Sequence, residues 1–260
     1  MAKRIIRRLL YIAVPTAAAS YGVHLGLNHL EEKYPSLPPK AASSKALRTP
    51  DNPCTQLCAY TDIYAARVPV SALQARTRAL GATTEKSALE DAWAQTLLQN
   101  PILKIEASLA GLATRARYEA GDLGDSENGF APYNTGAPRE LMNGIFVVRR
   151  AFLRENDGNG LLLSWKVPDN VRLSFEKMAA WGYPWRLMSG GRHEFSVSEP
   201  FEVKGEGRVV EVRFASTHDY EIVESEGDQQ KIIPAWTLRI HRGYARLLLD
   251  MSARELQASN

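Results

Sequence analysis

The sequence predicts an α+β fold: a curved antiparallel sheet gripping a long C-terminal helix, with an apolar N-terminal helix outside the domain. Three observations predict it. Capping residues and 3.6-residue spacing concentrate between residues 71 and 118. Period-two alternation with Gly-containing turns dominates from 144 to 225. The chain then closes on one long amphipathic pattern. Helices, a run of strands and a terminal helix are the order of an α+β domain.

The first element is set apart by charge. The 260-residue chain carries 32 basic and 29 acidic side chains, a net of +3. Without Lys3, Arg4, Arg7 and Arg8, 28 basic groups face 29 acidic ones, a net of −1. A nucleic-acid partner needs a basic face on the folded part, and none is present, so no nucleic acid is expected. Leu9 to Leu30 contain no charged side chain, and roughly 20 apolar residues cross a bilayer as a helix. Residues 1–30 therefore read as a membrane anchor or targeting segment, with 9–30 as the membrane partner. A single-pass N-terminal anchor is the expected localisation, with a mitochondrial address as the alternative because the segment is arginine-rich and acid-poor. A cleaved signal ending near Ala17-Ala18-Ala19-Ser20 and a plain buried helix also fit. Pro35, Pro38, Pro39, Pro50 and Pro53 mark 31–58 as a linker. Cys54 and Cys58 stand as two thiols or as a small disulfide loop. They have no second pair or neighbouring histidine to make a zinc site.

The body is expected over 59–256. Tyr60, Ile63, Tyr64 and Val68 suggest a first strand, and Ser71 a short helix to residue 80. Thr84 opens a helix to about residue 99. Asn100-Pro101 leads into another, on which Ile105, Leu109 and Leu112 form an apolar stripe. Residues 120–140 are rich in Gly, Asp, Asn and Pro and read as a long loop. Strands follow at 144–152 and 161–167, then at 192–203, 208–216 and 219–225. Pro234 opens the final helix, whose apolar stripe is read as Trp236, Ile240, Tyr244, Leu247, Leu248 and Met251.

Candidate chemistry is sparse. No nucleophile elbow, phosphate loop, dinucleotide fingerprint or metalloprotease helix occurs. No histidine, cysteine and carboxylate spacing suits a metal, so neither metal nor cofactor is expected. His193 is the informative residue. Strand alternation puts it on one face with Phe195 and Val197, apart from Arg192, Glu194 and Ser196. A histidine on an apolar face can orient a ligand or move a proton; a core histidine bonded to backbone is the plain alternative. Trp181, Tyr183 and Trp185 could gate a pocket. Trp165, Trp236 and His241 could line one, although core or surface positions explain each as well. His218, beside Asp219, reads as a residue of a solvated turn.

Three segments resemble a START-like protein, of the superfamily that includes lipid-transfer proteins and polyketide cyclases. They are Leu97-Leu98-Gln99-Asn100-Pro101-Ile102-Leu103-Lys104-Ile105-Glu106, Gly191-Arg192-His193-Glu194-Phe195-Ser196-Val197-Ser198, and Ile233-Pro234-Ala235-Trp236. The resemblance covers 59–256 and implies a helix-grip fold around a cavity for a hydrophobic small molecule. The expected function is thus a membrane-associated binding domain for such a ligand. It leaves open a cofactor-independent cyclase or isomerase acting on a polyketide, terpenoid or lipid-like substrate, with His193 catalytic. It equally leaves open a non-catalytic lipid-binding, transfer or accessory protein.

Overall fold

The computed structural model describes residues 19–77, 85–126, 129–151 and 160–258. A first helix, α1, runs over 19–33. Two single turns follow, α2 (Pro39–Ala42) and α3 (Lys45–Arg48), the latter capped by the Ser44 hydroxyl, which accepts from the Leu47 N–H. Strand β1 (Gln56–Pro69) contains no glycine and no proline before its last residue, and it pairs with the last strand of the sheet along its whole length apart from a register shift between Cys58 and Tyr60. It leads into α4 (Val70–Gln74), then α5 (Glu85–Leu98) and α6 (Pro101–Arg115). The Asn100 side chain accepts from the Ile102 N–H and Pro101 occupies the first turn, so the boundary between α5 and α6 is local chemistry.

The remaining strands are β2 (Glu140–Leu141), β3 (Phe146–Arg150), β4 (Leu161–Lys166), β5 (Gly190–Val197), β6 (Phe201–Val203) and β7 (Gly207–Glu221). Helix α7 (Asp169–Ala180) separates β4 from β5, and α8 (Ala235–Ala258) ends the chain. The sheet is antiparallel and curved, in the order β1-β7-β5-β4-β3-β2, with β6 also paired to β7. β5 and β6 flank the same side of β7 and are interrupted around Pro200, which has no N–H for a ladder.

Register fixes what faces inward. Leu163, His193, Ser216 and Asp62 are successive cross-strand partners on β4, β5, β7 and β1. Leu161, Phe195, Phe214 and Tyr64 form the neighbouring row, and Trp165, Gly191, His218 and Tyr60 the other. α5, α6 and α8 cover this inner face. The main core therefore holds Trp93, Leu97 and Leu103 against Phe195 and Phe214, with Leu248 and Leu249 from α8.

The opposite face is also covered, by residues 37–47. Leu47, Ile63, Leu162 and Ala215 form a second small core. Two buried ion pairs lie beside it. Arg192 binds Asp219 at 2.5 and 2.9 Å and donates to the Leu47 carbonyl at 2.7 Å. Arg150 binds Glu194 at 2.8 Å, and Glu194 also accepts from the Ser44 hydroxyl and backbone N–H.

Several expectations need correction. A single-pass N-terminal anchor is not supported: among the described residues no helix is long and apolar enough to cross a membrane. Residues 9–18 of the expected span lie outside the described residues. α1 itself ends in Glu31, Glu32 and Lys33, and its Asn28, Glu31 and Lys33 side chains are bound to α8. Arg239 of α8 donates to Asn28 and to both Glu31 oxygens, while Lys33 and Tyr34 bind Asp250. Leu27 fills the space above Gly243, where a Cβ would collide with it. This stretch lies on α8 instead of standing outside the domain.

The expected strands 208–216 and 219–225 are one strand, β7, because His218 and Asp219 are ladder residues and not a turn. α7 was unforeseen; Val171, Phe175, Met178 and Ala179 recur on it at helical spacing, but only Ala179 is buried. On α6 the buried residues are Leu103, Ala107, Ser108 and Gly111, whereas Ile105, Leu109 and Leu112 face outward. On α8 the buried apolar side chains are Leu238, Ala245, Leu248, Leu249, Ala253 and Leu256, whereas Trp236 and Ile240 are left exposed.

Candidate functional site

A cavity of about 310 Å³ lies between the inner face of the sheet and helices α6 and α8. That volume is at the small end of ligand sites. Leu97, Leu103, Ile145, Phe146, Phe195, Phe214, Ala245 and Leu248 supply its apolar wall. His193 from β5 and His241 and Tyr244 from α8 supply polar groups, with Glu106 and Lys166 exposed among its lining residues. Trp165 lies over Gly191, where a Cβ would stand 2.8 Å from its ring.

His193 sits in an aromatic box. Its ring centroid is 5.2 Å from Phe214 and 5.3 Å from Phe146, and it stacks on Trp165 at 6.1 Å. Its Nδ1 is buried without a hydrogen-bond partner. Burial first, and the neighbouring His241 second, lower its pKa to about 3, so the ring is neutral at physiological pH.

His218 lies directly behind the lining. It is fully buried, and its Nε2 is 2.8 Å from His241 Nε2. Burial, then His241 and His193, lower its pKa to about 2. His241 is lowered by burial as well, with Asp62 acting against the shift. Asp62 is itself buried and accepts from Arg242 at 2.9 Å, and the Arg242 guanidinium lies 5.6 Å over the Tyr60 ring. The Tyr244 hydroxyl is raised by burial first and by the Glu106 carboxylate second. The site thus sets two neutral histidines and a tyrosine hydroxyl in an apolar box, with the charged side chains of Glu106 and Lys166 exposed at its lining and the half-buried Arg242 guanidinium, behind His241, held by the Asp62 carboxylate.

Of the residues singled out from sequence, His193, Trp165, Phe195 and His241 meet at this cavity. Trp181, Tyr183, Trp185 and Trp236 are not among its lining residues. Trp181 is 85% exposed just beyond α7. Tyr183 packs on Trp185 at 4.7 Å, and Trp185 on Phe175 at 6.2 Å, a cluster built with α7. Trp236 is 63% exposed in the first turn of α8. His218 is the functional candidate that sequence reasoning missed. Its signal was the alternation Val212, Phe214, Ser216, His218, visible only if β7 runs unbroken. Cys54 and Cys58 are free thiols. Among the described residues no group of three or more His, Cys, Asp or Glu side chains is placed to hold a metal.

No family model matches the chain, and neither a curated protein nor a solved structure matches it significantly.

Proposed function

We propose that this domain binds an uncharged hydrophobic small molecule in the cavity under α8, in the manner of a START-like helix-grip protein. The observation that carries the reading is the wall itself: eight apolar side chains closing on two neutral histidines, His193 and His241. An apolar pocket with a few placed polar groups is the form of a small-molecule site. The sheet-and-helix architecture supports the family reading on fold alone.

Between binding and tailoring chemistry, the histidines favour binding. A general acid or base works best with a pKa near the working pH. His193, held at about 3, is too weak a base and is not an imidazolium at pH 7. It serves better as a hydrogen-bonding group that orients a ligand. A cyclase or isomerase acting on a polyketide, terpenoid or lipid-like substrate would need the bound substrate to raise that value.

Native mass spectrometry of the full chain purified from its source cells tests the proposal. A co-purifying apolar molecule, lost on replacing Phe214 by Trp to fill the cavity, is the expected result. A chain that is empty and unresponsive to added apolar ligands overturns it. His193→Ala should weaken retention; a loss of product formation in cells with retention unchanged would instead favour the catalytic reading.

A further inference from the structure

The contact between His218 and His241 assigns protons. Their Nε2 atoms are 2.8 Å apart, so one nitrogen must carry hydrogen and the other a lone pair. His218 Nδ1 is buried and meets no acceptor or donor. An orphaned buried N–H is rarer than an orphaned acceptor. His218 therefore keeps its single proton on Nε2 and donates it to His241. With Nε2 of His241 accepting, the proton of that ring sits on Nδ1. The same argument applies to His193: its Nδ1 is buried without a partner, which leaves Nε2 as the protonated nitrogen.

We propose that His218 is a positioning residue that locks His241 as the Nδ1–H tautomer, so that the cavity offers the neutral N–H groups of His241 and His193 to the carbonyl oxygen of an uncharged aryl ketone. The proposal rests on the reading of the cavity as a ligand site. Three features set the ligand class. The two histidine donors are neutral and suit a carbonyl oxygen, while the charged Lys166 and Glu106 of the lining are exposed to solvent. The Arg242 guanidinium, which would attract a carboxylate, is bound to Asp62, whose second oxygen is buried without a partner and disfavours an anion. The rings of Phe146, Phe195 and Phe214 line the same cavity and suit a flat aromatic body. His218 itself packs edge-on against the Tyr60 and Trp165 rings, with centroids 6.5 and 5.9 Å away, and its one hydrogen-bond contact is the His241 ring.

Two measurements on the full chain test this. Long-range proton–nitrogen correlation spectra of the ¹⁵N-labelled protein report histidine tautomers without any ligand. Nε2–H at His218 with Nδ1–H at His241 is expected, and the reverse assignment overturns the proposal. Calorimetric titration then compares 2-acetylnaphthalene with 2-ethylnaphthalene, which share a shape and differ in the carbonyl. The ketone should bind on the order of tenfold more tightly, the worth of about one hydrogen bond. His218→Gln, whose amide N–H can replace the donated proton, should keep that ratio. His218→Phe should bring it toward one while leaving 2-ethylnaphthalene affinity unchanged. Equal binding of the two probes to the native chain overturns the tautomer proposal alone, whereas binding of neither overturns the cavity reading beneath it. Should His218→Phe fail to fold, the native spectrum and His218→Gln still decide.

Discussion

Replacing Glu90 by Gln should stabilise the protein at neutral and higher pH and do little in acid. Glu90 lies on α5 and is 4% exposed, and its Oε1 has no hydrogen-bond partner. Burial raises its pKa from 4.5 to about 7, against the opposing charges of Lys86 and Arg150 and the backbone N–H groups of Val197 and Gly160. The folded state thus holds a proton that the unfolded chain releases near pH 4.5. Between those values the native state binds more protons, so its stability falls as pH rises, by about 1.4 kcal/mol per unit at most. Above pH 7 the loss levels off at about 3 kcal/mol. Gln keeps the shape and removes the titration. The stability difference between Glu90→Gln and the native chain, from urea unfolding at several pH values, should therefore grow from pH 4.5 to 7.5 and then flatten. Taking the difference cancels the buried histidines, which titrate alike in both proteins. A difference that is constant across this range would refute the assignment of the proton to Glu90.

Three further outcomes follow from packing and pairing. Asp219→Asn leaves the Arg192 charge buried without its carboxylate, which should cost about 3–5 kcal/mol in urea unfolding at pH 7. Gly191→Ala places a methyl against the Trp165 ring and the Thr217 carbonyl; a stability loss of about 1–3 kcal/mol and weaker binding of apolar probes are expected in calorimetry. Gly243→Leu drives a side chain into Leu27, so hydrogen exchange over residues 24–33 should accelerate while β5 and β7 stay protected.

What the sequence made legible is what short-range rules govern. The Asn100-Pro101 boundary is a cap and a proline, and both act locally. The inward set His193, Phe195 and Val197 follows from strand period alone, and it holds in the register with β7. What escaped depends on partners distant in the chain. Ile105, Leu109 and Leu112 form a helical stripe, but α6 turns the smaller residues Ala107, Ser108 and Gly111 inward. Gly111 allows Asn143 to reach the Ala107 and Glu119 carbonyls at 2.9 and 2.7 Å, which fixes the helix rotation. His218 next to Asp219 looks like a turn pair. In the sheet the two point to opposite faces, one toward His241 and the other toward Arg192. α7 packs little, with only Ala179 buried; its legible signals were Val171, Phe175 and Met178 at helical spacing, Asp169 in the first turn and the Arg172–Glu176 pair one turn apart.

The segment read as a linker has a stronger connection to the site than its composition suggests. Residues that alternate along β5 serve two faces at once: Arg192 and Glu194 point outward and His193 points into the cavity. Leu47 and Ser44 bind Arg192 and Glu194 directly, so residues 37–47 hold the outer side of the strand whose inner side carries His193. A one-residue slip of β5 would put Arg192 or Glu194 into the apolar box and His193 outside it. Two buried ion pairs anchored by the segment before β1 make that slip costly, because each slipped register strands charges without partners. On the other side of the cavity, Asp250 and Arg246 of α8 bind Lys33, Tyr34 and the Tyr34 carbonyl, so α1 and the chain after it also restrain the helix that carries His241. The N-terminal stretch from residue 24 to 48 therefore acts on both walls of the cavity, and its physical role is to hold the strand that carries His193 and the helix that carries His241.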